Sequence, residues 1–195
     1  MTILMKSTTT EPLPCIGVVL AGGLSSRMGR DKALLPWKGR PLIEHQLTVL
    51  SDAGVDDVRV SGDRPGYHGI ADAQPQAGPL GGLASIAETL PGDVDLLVIP
   101  VDMPLLQPGL LQRLRTERPR ARSLCFVGHV LPLRLRLDAD SRNRLLALLR
   151  HGEPRERSLR ALQAAICNEE LALSAAEAAQ LTDCNTEMTW SEVSG

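Results

Sequence analysis

Apolar residues in this chain fall into short continuous runs, separated by longer stretches in which they recur every three or four positions. The first run, Ile16–Leu20, contains no polar side chain and ends in Ala21-Gly22-Gly23. A run of this length bounded by glycine predicts a strand buried on both faces. Pro41 then opens a segment in which Ile43, Leu47 and Leu50 share one side, with Leu42, Val49 and Ala53 beside it. That spacing predicts a helix, with Gly54 as its stop. Val58–Val60 predicts a second strand and Gly69–Ala71 a short third. Gly78-Pro79-Leu80-Gly81-Gly82 reads as a turn feeding a helix through Leu90. Asp95–Val101 is almost wholly apolar and predicts a strand in the middle of a parallel sheet, and Pro108 opens a helix to about Arg118. Ser123–Val127 and Leu131–Leu137 are strand candidates. Ser141–Arg150 reads as a helix with Ser141 as N-cap and Gly152 beyond its end.

Alternation of strands and helices predicts an α/β fold: a single, Rossmann-like domain over residues 15–195, with a mainly parallel sheet flanked by helices and right-handed crossovers. Residues 1–14 read as a loose polar tail. In such sheets ligands lie beyond the carboxyl ends of the strands, where the segments after Leu20 and after Val101 fall.

Composition narrows the class. At 195 residues and 43% hydrophobic content the chain can bury a real core. Its apolar runs fall far short of the ~20 residues a membrane span needs. The start has no apolar signal-peptide core, so a cytoplasmic protein with no membrane partner is expected. Cys15, Cys125, Cys167 and Cys184 are widely spaced, as free thiols in a reducing compartment would be. His45, His68, His129 and His151 are dispersed and read as surface or packing residues rather than a metal cluster. The net charge of −2 is uneven: Arg113–Arg160 carries 13 arginines, no lysine and five acids, a local excess of +8. That middle could attract an anionic ligand or form a solvated helix face. With one Phe, one Tyr and two Trp, aromatic stacking on nucleic acid is not expected.

The chemistry concentrates after the first strand. Gly22 and Gly23 allow backbone amides to approach an anion closely, while Arg27 and Lys32 can neutralise it. The P-loop pattern is excluded, because five residues, not four, lie between Gly23 and Gly29 and Arg30 follows; the dinucleotide fingerprint is also absent. A second feature is Asp102, set directly after the apolar strand in Pro100-Val101-Asp102-Met103-Pro104. Alone, such an acid is more readily a cap or a salt-bridge partner. A carboxylate there is also a fit place for a hard cation such as Mg²⁺, which takes one or two carboxylates plus substrate phosphates and water.

Leu20-Ala21-Gly22-Gly23, Arg27-Met28-Gly29 and Asp31-Lys32 follow in order the nucleotidyltransferase signature L-x-G-G-x-x-x-R-M-G-x-D-K. The continuation Ala33-Leu34-Leu35-Pro36-Trp37, Gly39, Pro41-Leu42-Ile43 and His45 resembles one branch, the molybdenum cofactor guanylyltransferases. The resemblance spans about residues 14–190, with its most specific motifs in the first 104. It implies a fold like that of the nucleotide-diphospho-sugar transferases and transfer of GMP from GTP to the phosphate of molybdopterin, with Mg²⁺ on Asp102. Arg27, Lys32 and Asp102 would be catalytic. Leu20, Ala21, Gly22, Gly23, Lys32, Asp72, Gly78, Gly82 and Asp102 would hold nucleotide and metal. Arg155, in Gly152-Glu153-Pro154-Arg155, would face molybdopterin, and Asn185, in the C-terminal segment Asp183-Cys184-Asn185-Thr186-Glu187, would be a further cofactor-binding residue. Residues 15–104 would then form the GTP and Mg²⁺ half and 105–195 the acceptor half. The resemblance also implies transient contact with molybdenum cofactor biosynthesis proteins or with the receiving molybdoenzyme. Three departures are visible: no proline lies between Thr186 and Glu187, leucine fills position 131, and Ser61 stands where asparagine is common. A molybdopterin cytidylyltransferase, a sugar-phosphate nucleotidyltransferase and a non-catalytic cofactor-binding adaptor are the alternative readings. Ala21-Gly22-Gly23, in place of the Ala-Ala-Gly common in the cytidylyl branch, favours guanine.

Overall fold

A computed structural model describes residues 12–22, 31–74, 77–150, 153 and 155–194. Six strands form one sheet in the order β4-β1-β5-β7-β6-β8. They are β1 (Cys15–Leu20), β4 (Asp57–Ser61), β5 (Val94–Pro100), β6 (Ser123–Phe126), β7 (Leu133–Leu137) and β8 (Glu169–Leu171). All run parallel except β7, which is antiparallel to both its neighbours. A two-stranded ribbon, β2 (Pro36–Trp37) and β3 (Arg40–Pro41), sits apart.

Helices cover both faces, so the inner strands are apolar on both sides. Val19 of β1 and Leu97 and Ile99 of β5 join one core, with α1 (Leu42–Asp52) and α3 (Pro108–Thr116). Ile16, Val18 and Leu20 of β1 and Leu96 and Val98 of β5 join the other, with α2 (Gly78–Thr89), α4 (Ala139–Leu149) and α5 (Leu159–Ile166). Two short helices, α6 (Ala175–Ala179) and α7 (Glu187–Ser194), follow β8. Trp190 of α7 packs on Trp37 with ring centroids 5.7 Å apart, so the end of the chain returns to the β2–β3 ribbon.

The mainly parallel α/β sheet agrees with the expected fold class, with five local corrections. Residues 78–82 are the first turn of α2 and not a turn before it, because Pro79 fits a first helical turn and the glycines can pack tightly there. The cap of α4 is Asp138, whose carboxylate accepts from Ser141 N while the Ser141 hydroxyl accepts from Asp138 N; Ser141 is the third helical residue of this reciprocal pair. Residues 69–71 make only an isolated parallel bridge, Ile70 with Ser61. β7 begins at Leu133, and α3 stops at Thr116.

The basic middle is largely absorbed by the fold. Arg142 donates to the carbonyls of Ala87, Leu90 and Gly92 at the end of α2, at 2.5–2.9 Å. Arg115 donates to Ala53 and Gly54 at the end of α1, and Arg144 to Ala165 of α5. Arg113, Arg118, Arg122 and Arg136 pair with acids. Cations at helix ends match unpaired carbonyls and the negative pole of the helix.

Arg134 of β7 is the extreme case, 2% exposed. Its guanidinium donates to the carbonyls of Leu114, Arg115, Glu117 and Arg118 at 2.6–3.2 Å, closing the end of α3. Burial pulls its pKa down, and the field of Asp95 partly offsets that. Arg134→Met strands those buried carbonyls. It is expected to lower the unfolding free energy by about 2–4 kcal/mol. Urea unfolding measures this, and a loss below about 1 kcal/mol would show that the carbonyls find other partners.

Candidate active site

Leu20 is paired with Ser61 of β4 on one side and Pro100 of β5 on the other, so three strands end at one edge. Beyond that edge lies a cleft of about 230 Å³. Its lining includes the polar Asp31, Lys32, Arg64 and Asp102 and the apolar Pro79, Pro100 and Leu131.

Asp102 sits two residues beyond β5, on a loop held from behind by α1. Gln46, fully buried, donates to the carbonyls of Val101 at 3.4 Å and Met103 at 2.7 Å, either side of Asp102. His45 Nε2 donates to the Pro104 carbonyl at 3.1 Å. Burial lowers the His45 pKa, the bond to Pro104 opposes this, and Arg40 and Lys38 reinforce it, which keeps the ring neutral near pH 7. The Asp102 carboxylate accepts from Lys32 Nζ at 3.1 Å.

Lys32 opens a one-turn 3-10 helix, Lys32–Leu34, that Asp31 caps by accepting from Ala33 N at 3.1 Å. Its ammonium also donates to Asn185 Oδ1 at 2.5 Å. Asn185 reaches the cleft because Cys184 N donates to the Asp102 carbonyl at 2.8 Å. Burial first, then Asp102 and Asp183, push the Cys184 thiol up to about 11, so it stays protonated beside the site.

A wall of glycines borders the β1–β4 side. A Cβ on Gly82 would collide with the Ser61 hydroxyl and approach Asp72 Oδ1 to 3.0 Å. On Gly22 it would meet Gly62 Cα at 3.5 Å and Asp72 Oδ2 at 3.8 Å. The Asp72 carboxylate therefore lies against bare backbone. Its Oδ1 is buried without a hydrogen-bond partner, and burial raises its pKa. Such an acceptor is suited to a ligand N–H.

A family model for the MobA-like NTP transferase domain matches residues 17–166. The chain belongs to this family. A relative named molybdenum cofactor guanylyltransferase, from Xanthomonas euvesicatoria pv. vesicatoria (strain 85-10), is 49% identical over 180 residues, covering 92% of this chain and 94% of that one. The molybdopterin-guanine dinucleotide biosynthesis protein A of Archaeoglobus fulgidus has a similar crystal structure, with TM-score 0.71, 17% identity and coverage of 92% of this chain and 96% of that one. The Mycobacterium tuberculosis protein Rv0371c, solved in complex with manganese, superposes with TM-score 0.64 at 18% identity, over 93% of this chain and 98% of that one. These two likenesses show the fold.

Within the family's fold the structure brings together Leu20, Ala21, Gly22, Lys32 and Asp102 as cleft walls, with Asn185 on Lys32. Asp72 and Gly82 stand at the glycine wall beside Gly22. Gly78 starts α2 with φ +64°, and Pro79 beside it lines the cleft. Gly23 and Arg27 lie outside the described residues. Arg155 is exposed before α5 and is not among the residues lining the cleft. Sequence reasoning missed Arg64, Gln46 and the bracing role of His45, because no periodicity or motif marks them; only their buried contacts do.

Asp72 also sets a testable balance between stability and function. Its raised pKa means that the folded state disfavours the carboxylate, so the cost appears as pH rises above the unfolded value of about 4 and through the higher folded one. Asp72→Asn is therefore expected to stabilise the nucleotide-free protein at pH 7 by about 1 kcal/mol or less after solvent screening, roughly 2–4 °C at most. The gain should vanish near pH 4. Thermal midpoints of both proteins across that range test it; an equal gain at both ends would contradict the charge origin.

Proposed function

We propose that the protein transfers the guanylyl group of GTP to the terminal phosphate of molybdopterin, forming molybdopterin guanine dinucleotide and releasing pyrophosphate. The observation that carries this reading is the meeting of Lys32, Asp102 and Asn185 at the carboxyl edge of the sheet, with the unpartnered Asp72 oxygen across the glycine wall. Near-full-length similarity to a protein named molybdenum cofactor guanylyltransferase supports the substrate pair.

The chemistry asks little of a protein base. A phosphate monoester has a second pKa of ~6 and is already largely dianionic at neutral pH. One of its oxygens attacks the α-phosphorus of GTP, and the bond to the β-phosphate oxygen breaks, leaving its electron pair on pyrophosphate. Repulsion between anions, orientation and charge on the leaving group make up most of the barrier. Lys32 supplies an ammonium at the reacting phosphates, the Gly22 backbone lets them approach, and Asn185 holds the Lys32 side chain in place. Arg27 and Gly23 add to the same phosphate site in this reading.

Asp102 fits a Mg²⁺ site. It is a single partly exposed carboxylate at a strand end, and among the described residues no group of three or more acidic, His or Cys side chains converges. An ion bound there would take its remaining ligands from phosphate oxygens and water, and would supply charge neutralisation between the phosphates. Asp72 reads guanine by accepting from its N1–H and N2–H edge. Residues 15–104 thus serve nucleotide and metal, and 105–195 the acceptor, with Arg155 on the acceptor side. We place the reaction in the cytoplasm, in keeping with four free cysteines. Among the described residues no helix is long and apolar enough to cross a membrane. Transfer of product to a receiving molybdoenzyme completes the reading.

Incubation with GTP, molybdopterin and Mg²⁺ should yield pyrophosphate and the dinucleotide in equal amounts; absence of both would end the proposal. GTP should exceed CTP and ATP at least ten-fold in kcat/KM, since an unpaired Asp72 costs ~1–3 kcal/mol with the wrong base. Equal use of CTP would move the protein to the cytidylyl branch. Asp102→Asn should fold normally and lose roughly 100-fold or more in turnover; turnover within about two-fold of wild type at limiting Mg²⁺ would remove its metal role.

A further inference from the structure

Arg64 lies three residues beyond β4 and lines the cleft, yet it belongs to none of the motifs read from the sequence. Its guanidinium has two sets of partners. Nε and Nη2 donate to the Ala21 carbonyl at 3.2 and 3.0 Å. Nη2 also donates to Asp31 Oδ1 at 2.8 Å, while Nη1 pairs with Asp31 Oδ2. Ala21 is where the chain leaves β1, and Asp31 directly precedes Lys32. One side chain thus ties the exit of β1 to the residue that caps the Lys32 helix.

The tie reaches the reacting groups at each end. The residue after Ala21 is Gly22, whose backbone borders the cleft. On the other side, the Asp31 oxygen held by Arg64 caps the one-turn helix that presents Lys32 to Asp102. Arg64 is itself a fixed post. Its carbonyl accepts from the amides of Tyr67 and Gly69, both at 2.9 Å, and a Cβ on Gly69 would strike Arg64. Its side chain is 18% exposed, so solvent competes weakly for these bonds.

We propose that Arg64 is a positioning residue for guanylyl transfer, acting through Asp31 and Ala21 rather than by touching phosphate. Holding the Ala21 carbonyl and the Asp31 carboxylate in advance fixes the exit toward Gly22 and the presentation of Lys32 before nucleotide arrives, which lowers the ordering cost of binding. Only a planar fork with several donors reaches a carbonyl and both carboxylate oxygens at once, which a lysine cannot do. This inference rests on the nucleotide reading of the cleft.

Full-length wild type, Arg64→Ala, Arg64→Lys, Asp31→Ala and the double Arg64→Ala/Asp31→Ala variant would be titrated with GTP and Mg²⁺ by calorimetry and assayed for kcat and KM. Arg64→Ala is expected to lose at least ten-fold in GTP affinity and to turn over more slowly even at saturating GTP. Asp31→Ala should reproduce most of that loss, and the double variant should be no more than about two-fold worse than either single one. Arg64→Lys should recover less than half of the affinity, while millimolar guanidinium should partly restore Arg64→Ala. Should Arg64→Ala prove too unstable to purify, Arg64→Lys and Asp31→Ala carry the same comparison. Wild-type GTP affinity in Arg64→Ala overturns the inference. So does a double variant whose loss is the product of the two single losses, because that marks Arg64 as a direct phosphate ligand. Wild type that binds no GTP overturns the nucleotide reading itself, a result separate from the other two.

Discussion

Everything at the active edge depends on β1 being paired in parallel on both sides while being buried on both faces. Parallel pairing with β4 and β5 makes the three strands point the same way, so their carboxyl ends share one edge. Burial on both faces leaves that register no freedom, because a one-residue slip would move every side chain to the opposite core. Once Leu20, Ser61 and Pro100 are aligned, the chain must exit β1 toward Gly22 and β5 toward Asp102 within one cleft. Helix crossovers then carry the chain to either side, which is the condition for a ligand site in an open α/β sheet.

Charge is used in two distinct ways on this frame. Away from the cleft, arginines close helix ends and pair with acids, as Arg142, Arg115 and Arg134 do for α2, α1 and α3. At the cleft, cations and acids are paired with one another. Lys32 is held by Asp102 and Asn185, and in the proposed reading triphosphate oxygens would offer its ammonium alternative partners. The +8 excess that hinted at an anion-binding middle is mostly structural, whereas the phosphate chemistry proposed for the cleft draws on a few cations near the strand ends.

How far the sequence could be read follows from the range of the interactions involved. Ile16–Leu20 and Asp95–Val101 were legible because inner strands covered on both faces must be apolar throughout. Asp102 and Lys32 were legible because each follows directly from a strand end or a glycine segment. Ser141 misled as a cap because Asp138, three residues earlier, forms a reciprocal pair with it, and either member fits the local pattern. Residues 78–82 misled because glycines usually signal a turn, but here they let α2 press against Ser61 and Asp72. Arg64 and Gln46 were invisible for a deeper reason. Their roles are fixed by partners 33 to 57 residues away, and no local pattern encodes such a distance.

The glycine wall and Asp72 show how this site trades stability for readiness. Packing backbone against a carboxylate leaves Oδ1 without a partner, a cost borne by the empty protein. Side chains on the wall would fill the space beside Asp72, and under the proposed function neutralising the carboxylate would remove the acceptor that distinguishes guanine from adenine. The strain cannot be relieved from within, because Gly82 has no room for even a methyl group beside Ser61. Under the proposed function a planar base edge relieves it, bringing N–H donors and needing no extra space. The least comfortable atom of the site would then also be the one that reads the base, so the ligand that satisfies it gains most, and that gain would be the selectivity.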